Sequence, residues 1–469
     1  MTRNRTTVGL LLLIILAFGL RIGYCAVRGT LGRSPATDYR EYVVAGQCLL
    51  QHGTLVSPLI VADVDRTPSP LMPPVYVGLV AMVYALCGVE TFAATLVLHL
   101  INAAATSLTV LLVFLVASSL GGSRAAWIAG LIATINPTLI GYTDLIWDTS
   151  LFTLGVAVSV WMSLRMTVPP STVHPSVPSP FKGGSYGQDS KTAFTPHPAL
   201  SSCGERGSSV RRCRSWFAMG LWLGALALLN PALTIAYPFL VLWPLWRRKA
   251  WSIGELLQPV AVTVAGWLVA IMPWTIRNYA QFDELMYVRG GFPIELWLGV
   301  CPEADAHGAA VYTAQFPLNN DEVQRHVASI GERAFIRECD ERARAAIAAD
   351  PWRFVRLILI RIVDYWTGSA FSHAAPDAGG TPASMLRAGV MYFLIAETAL
   401  GFLALLINRG LGRDLPWLLA IVICFSAVYC LTHVQVRFRA PMEPVMAVLV
   451  GVLALRAFTR VCPTKEHNV

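Results

Sequence analysis

The sequence predicts an all-α polytopic membrane protein, and three observations carry that expectation. Only 14% of its 469 residues are charged, against roughly 25% in a soluble domain. Apolar runs recur at close to the length of about 20 residues that crosses a bilayer core. The Lys and Arg gather between those runs, as in Arg211-Arg212, Arg214 and Arg247-Arg248-Lys249, which is the pattern of cytoplasmic loops. The net charge of +8 therefore reports topology, and no nucleic-acid partner is expected.

The elements follow in order. Arg3 and Arg5 precede an apolar run that starts at Val8 and continues past Arg21 with no A-x-A cleavage site. This reads as an uncleaved first span with its N-terminus inside. Spans are expected over 8–27, 91–118, 125–143, 149–166, 216–230, 231–246, 258–276, 388–407, 415–432 and 441–458. Residues 71–88 are apolar but short and open on Pro73-Pro74. Residues 353–371 carry Arg353, Arg356, Arg361 and Asp364, which suits an interfacial amphipathic helix. Counting both as spans would put Arg211, Arg212, Arg214 and the Arg247 cluster outside, against the positive-inside rule.

The expected architecture is thus about ten spanning helices with outer juxtamembrane helices and a small extracytoplasmic α-rich segment. It divides into 1–166, a membrane module with two outer loops; 167–214, a disordered cytoplasmic linker rich in Pro, Ser and Gly; 215–276, membrane helices; 277–387, the extracytoplasmic segment; and 388–469, the last helices and a short tail. Within 277–387, the stretch from Asp321 to Asp350 reads as a charged, solvated helix pair ending before Pro351. Cys301 and Cys339 share this segment and could pair there, although nothing in their spacing requires it.

Acidic residues are scarce, so their positions are informative. Asp38 and Glu41, in "ATDYREYVVAGQCLLQHG", follow the first span. They read either as a capping box, with Asp38 as N-cap and Glu41 three residues on, or as chemistry, with Asp38 a catalytic carboxylate at the membrane surface. Asp148, in "GYTDLIWDTSLF", has the same two readings. Arg437 and Arg439, in "THVQVRFRAPMEP", either grip a phosphate through paired hydrogen bonds or anchor lipid headgroups. Arg277 in "PWTIRNY" has similar status. Glu303, Asp305 and His307 alternate in "CPEADAHG" and read as a solvated loop. There is no Walker or Rossmann pattern to suggest a nucleotide site.

Several stretches together resemble a family. "R-x2-Y…TDYREYVVAGQCLLQHG…PPVYVGLVAMVYALCG" is similar to the first outer loop of the C-type (GT-C), polyprenyl-phosphate-sugar-dependent glycosyltransferases. That superfamily includes protein O-mannosyltransferases and lipid A aminoarabinose transferases. The matching positions are Asp38, Tyr42, Gly53, Pro73-Pro74-Tyr76 and Gly88. "NPTLIGYTDLIWDTSLFTL" resembles the second outer loop, with Asp148 at the second acidic position, and "PWTIRNY", "LWLGVCPEADAHG" and "VRFRAPMEP" resemble segments of the bacterial branch.

The resemblance implies an inverting sugar transfer from a polyprenyl-phosphate donor to an acceptor protein, lipid or glycan. The active site would face outward from the cytoplasmic (inner) membrane, with membrane lipids around it. Asp38 and Asp148 would be catalytic, and Tyr42, Glu41, Arg277, Arg437 and Arg439 would bind substrate. Some members carry an acidic metal-site residue before the Pro-rich helix; here that region reads Arg66-Thr67-Pro68-Ser69-Pro70, which leaves the place of a divalent metal open. A multi-pass transporter or flippase and a glycan polymerase or ligase are the alternative classes. A transporter would place polar sites near the membrane midplane, whereas the polar residues here lie at the outer face.

Overall fold

The structure, a computed structural model, describes residues 2–34, 40–56, 59, 68–166, 198–248, 252–304, 311, 314–367, 382–407 and 414–461. Asp38, Asp305 and His307 lie outside the described residues. Among the described residues there is no named strand, and an isolated bridge joins Val56 to Pro68.

Helix α1 (Thr2–Val27) leads to two short helices, α2 (Glu41–His52) and α3 (Pro74–Cys87), which pack on each other. At 1.5 Å per residue α3 is only about 21 Å long, short of the roughly 30 Å core of a bilayer. Next comes α4 (Phe92–Ile135), helical throughout except at Gly122, whose φ of 78° and ψ of −174° suit a residue without Cβ. There the chain doubles back. Phe114 and Trp127 stand edge to face with centroids 5.1 Å apart, whereas a continuous helix would separate them by about 20 Å. The expected spans 91–118 and 125–143 are the two arms of this hairpin. The second arm stops at Ile135 because Asn136-Pro137 starts a new short helix, α5 (Pro137–Gly141), with the Asn136 side chain accepting from Thr138 N and Leu139 N.

Helix α6 (Thr149–Met166) packs against α4. Helix α7 (Pro198–Leu229) corrects the linker expected over 167–214, since residues 198–214 are helical. Once the apolar part forms, each further residue adds a hydrogen bond without a new nucleus. Residues 167–197 lie outside the described residues. The expected span 231–246 divides into a 3₁₀ turn, Pro231–Ala236, and α8 (Tyr237–Arg247). Helix α9 (Ile253–Phe282) runs against α7 with backbones in close approach: a Cβ on Gly220 would lie 2.0 Å from Thr263 O, and one on Gly266 2.4 Å from Phe217 O. Small residues at such crossings are how membrane helices gain packing contacts.

The outer segment holds α10 (Phe292–Val300), α11 (Asp321–Ile330), α12 (Glu332–Ala349) and α13 (Pro351–Thr367). The charged helix pair is therefore present as α11 and α12, ending before Pro351. Arg353 ties α13 to the end of α10, donating to the carbonyls of Val300 (2.7 Å), Cys301 (2.8 Å) and Ala304 (3.2 Å), as a cation at a helix C-terminus should. Trp352, Leu359 and Val363 leave α13 with an exposed apolar face. Cys301 and Cys339 are buried free thiols. The outer segment also grips the first outer loop, through Ser69 Oγ to Glu332 Oε1 (2.8 Å) and Gly290 N to Pro70 O (2.9 Å).

Three more helices complete the chain: α14 (Pro382–Ile407), α15 (Leu415–Leu431) and α16 (Glu443–Val461), the last packed along α4. Four helical stretches are long and apolar enough to cross a membrane by length and composition, Arg5–Val27, Phe92–Ile135, Thr149–Met166 and Ile253–Phe282. Shorter apolar helices lie at Cys213–Leu229, Gly389–Ala404 and Pro416–Leu431. Arg21 is tolerated inside α1 because its guanidinium reaches Thr106 Oγ1 (2.7 Å) and the carbonyl of Ala17 (2.9 Å).

Candidate active site

The N-terminus of α2, the start of α6, the end of α7, the loop after α9 and the end of α15 converge on one cavity of about 440 Å³. Four of the residues singled out in the sequence line it: Glu41, Tyr42, Asp148 and Arg437. Helix α2 starts at Glu41 with Arg40 as N-cap and no side-chain capping bond. This corrects the capping-box reading, since Glu41 is the first helical residue and not the third. Arg40 is instead paired with Glu90.

Asp148 sits where α6 begins, its carbonyl accepting from Phe152 N at 2.8 Å. Its carboxylate, however, is held from elsewhere. Asn230 Nδ2 donates to Oδ2 at 2.9 Å, and the Tyr42 hydroxyl bonds it as well. Asn230 is fixed in turn by its position before Pro231, where its Oδ1 accepts from Ala232 N at 3.0 Å. The Tyr42 ring stands edge-on to Tyr76 (4.9 Å) and Trp147 (5.2 Å). Arg437 lies over the Trp147 ring, 4.2 Å from its centroid, a cation–π contact that orients the guanidinium at the cavity wall.

Arg289, Glu295 and His433 also line the cavity. Arg289 Nη2 donates to Glu295 Oε1 at 3.1 Å, and His433 Nδ1 lies 3.4 Å from Glu295 Oε2. Enclosure shapes their protonation. Burial pushes Glu41 up to about 7, opposed by Arg437. Burial also raises Asp148, opposed by the Asn230 hydrogen bond and by Arg437. His433 is pushed down to about 4 by burial, so its imidazole is neutral at pH 7. Burial works against the charge of Arg289, yet Glu295, Tyr42, Tyr429 and Asp148 together outweigh it and hold the guanidinium above its ordinary value.

Two expected site residues are elsewhere. Arg439 does not line the cavity. Its side chain is 1% exposed, bonded to Glu443 through Nε, to Trp366 O at 2.6 Å and to Leu394 O at 3.1 Å. Glu397 lies 3.7 Å away. With its donors committed to protein acceptors, it is not available to a phosphate. In the two consecutive 3₁₀ turns, Val436–Phe438 and Ala440–Met442, the two arginines go to different neighbours. Arg277 is also outside the cavity lining, on α9 over the rings of Trp274 (4.7 Å) and Phe282 (5.3 Å).

Sequence reasoning missed Arg289, Glu295, His433 and Asn230. The available signal was an acid, Glu295, inside the otherwise apolar "FPIELWLGV", and an arginine before the "GGFP" turn. Among the described residues no group of three or more His, Cys, Asp or Glu side chains is placed to hold a metal ion.

No protein-family model and no curated protein sequence matches the chain. Among solved structures it is similar to the oligosaccharyltransferase of Archaeoglobus fulgidus in its apo form, with a TM-score of 0.52 and 15% identity over 96% of this chain and 50% of that one. The same archaeal enzyme, AglB, in complex with an inhibitory peptide and a dolichol-phosphate aligns with a TM-score of 0.50 and 14% identity, over 96% and 50% of the two chains. ArnT from Cupriavidus metallidurans bound to undecaprenyl phosphate aligns more loosely, with a TM-score of 0.37 and 14% identity over 98% of this chain and 79% of that one. The chain spans about half the length of the archaeal structures it matches. Its described residues form the all-helical, polytopic membrane fold that its apolar runs and outer-loop motifs led us to expect, shared with that archaeal oligosaccharyltransferase.

Proposed function

We propose that this chain transfers a sugar from a polyprenyl-phosphate donor to an acceptor outside the cytoplasmic membrane, inverting the anomeric carbon. The observation that carries this reading is the cavity, in which two guanidinium groups and three carboxylates meet among apolar helix ends. The archaeal enzyme of similar fold has been seen with a dolichol-phosphate, a lipid phosphate of the kind two arginines would receive. At about 440 Å³ the cavity is toward the small end of ligand sites, which run from roughly 300 to 1,000 Å³, and it suits a single sugar.

In this reading Arg437, with Arg289, neutralises charge that grows on the departing phosphate. Asp148, held in one orientation by Asn230 and Tyr42, positions the acceptor, which is a hydroxyl of a protein, lipid or glycan. Asp38, three residues before Glu41, contributes negative charge that helps to align the acceptor. Membrane lipids flank the donor chain, and the cavity faces outward.

The test is release of polyprenyl phosphate by purified protein given a panel of short-chain polyprenyl-phosphate hexoses and pentoses. The parent should release it, whereas a transporter would leave every donor intact. Asp38→Asn keeps the size and a hydrogen-bonding side chain but loses the negative charge. It should still bind donor and turn over at least about a hundred times more slowly. Near-normal turnover by that variant would remove Asp38 from the mechanism.

A further inference from the structure

The three described carboxylates of the cavity differ in what already holds them. Asp148 accepts from Asn230 and Tyr42. Glu295 is taken by Arg289 and faced by His433. Among the described residues, no hydrogen bond or ion pair reaches the Glu41 carboxylate, and its partly accessible side chain opens into the free volume. We propose that Glu41 is the proton acceptor of the transfer, receiving the proton of the acceptor hydroxyl. This inference rests on the glycosyl-transfer reading above.

The surroundings suit that role. Glu41 is faced by Asp148 at the start of α6, by Arg289 after α9, by Glu295 on α10 and by Arg437 in the 3₁₀ turn. Tyr42, Tyr287, Tyr429 and His433 complete the titratable lining. Tyr42 is held well above its ordinary value by burial and His433 is neutral at pH 7, so neither competes for the proton. Desolvation outweighs Arg437 and leaves Glu41 titrating at about 7, where a general base combines a large ionised fraction with real proton affinity.

The step balances without another reactant. The acceptor oxygen forms its bond to the anomeric carbon as the bond from that carbon to the phosphate oxygen breaks. The electron pair leaves on the polyprenyl phosphate beside Arg437 and Arg289. The hydroxyl proton moves to Glu41, which returns it to water before the next cycle.

The experiment is the pH dependence of turnover for parent, Glu41→Gln, Glu41→Asp and Asp38→Asn, using whichever donor of the panel the parent consumes. The base must be ionised, so the parent rate should fall as pH drops through about 7. Glu41→Gln should lose 10²–10⁴-fold in kcat with KM little changed, and should lose that limb. Glu41→Asp should recover part of the rate with the limb moved to lower pH. Asp38→Asn should be slow yet keep the limb. A limb that survives in Glu41→Gln and vanishes in Asp38→Asn would make Asp38 the base and overturn this proposal, while leaving the glycosyl-transfer reading intact. A parent inert toward the whole panel would overturn that reading itself. Infrared difference spectra of the parent give a readout without turnover. A carboxyl band should appear as pH falls through about 7 and be missing in Glu41→Gln; its persistence there would assign the titration to another group and sink the proposal.

Discussion

Two Asn-Pro turns in this protein do the same local work and serve opposite ends. Asn136 and Asn230 each precede a proline and each cap the following turn through Oδ1. Each then hands its Nδ2 to a buried carboxylate. Asn230 gives it to Asp148 at 2.9 Å, in the cavity beside Arg437. Asn136 gives it to Glu443 at 2.8 Å and Glu397 at 3.2 Å, in a closed cluster around Arg439. The Arg437 cluster borders free volume, whereas the Arg439 cluster is closed by protein groups. The same residue types make a site in one place and a fastening in the other. What separates them is whether the cluster borders a cavity or is closed on all sides by the protein.

The comparison breaks most sharply at the two arginines. Arg439→Leu leaves Glu443 and Glu397 buried without their cation, which costs about 3–5 kcal/mol and should appear as a large loss of thermal stability in detergent. Combining it with Glu443→Gln and Glu397→Gln should recover much of that loss, because removing both partners of a buried pair is far milder than removing one. If Arg439→Leu melts like the parent and loses only turnover, the cluster is functional and the contrast fails.

Arg437→Ala should show the reverse pattern. Turnover should fall about 10²–10³-fold, the usual effect of deleting a group that stabilises transition-state charge, while the melting temperature moves little. Equal damage to stability in both arginine variants would mean that the cavity cluster is as structural as the closed one.

Glu41 sharpens the contrast through pH. Folding raises its pKa from an ordinary 4.5 to about 7, so between those values the native state binds more protons than the unfolded one. Stability therefore falls as pH rises through that window and stays lower above it. Glu41→Gln should be more stable than the parent at pH 8, by on the order of 2 kcal/mol after allowing for partial exposure. A melting difference that does not grow with pH would contradict that sign. Asn230→Ala should have the smallest effect. It loses a cap and one bond to a charged acceptor, about 1–2 kcal/mol, with turnover down about tenfold as Asp148 loses its fixed orientation. A much larger fall in turnover would make Asn230 part of the chemistry.

How far the sequence could be read follows from what each feature depends on. Helix positions came from apolar run length, and ends such as Asn136-Pro137 and Asn230-Pro231 are local backbone chemistry. The solvated pair before Pro351 was legible for the same reason. The extension of α7 to Pro198 was not, because a helix can grow outward from an apolar anchor through sequence that would not fold alone. For the site, scarcity of acids in an apolar chain pointed to Glu41 and Asp148, and the motif resemblance supplied Tyr42. Glu295 and Arg289 were overlooked because an acid and a base six residues apart acquire meaning only when a distant element closes over them.

The sequence by itself determined that this chain is a bundle of apolar helices with its polar residues concentrated beyond their ends, since hydropathy and turn chemistry act over a few residues. Only the tertiary structure decided which polar groups face a cavity. Arg437 and Arg439 stand in one four-residue string, VRFR, yet one meets Trp147 and open volume while the other meets Glu443 and Glu397. Those partners come from elements far apart in the chain, and a side chain's charge is available only after every neighbour has made its claim on it.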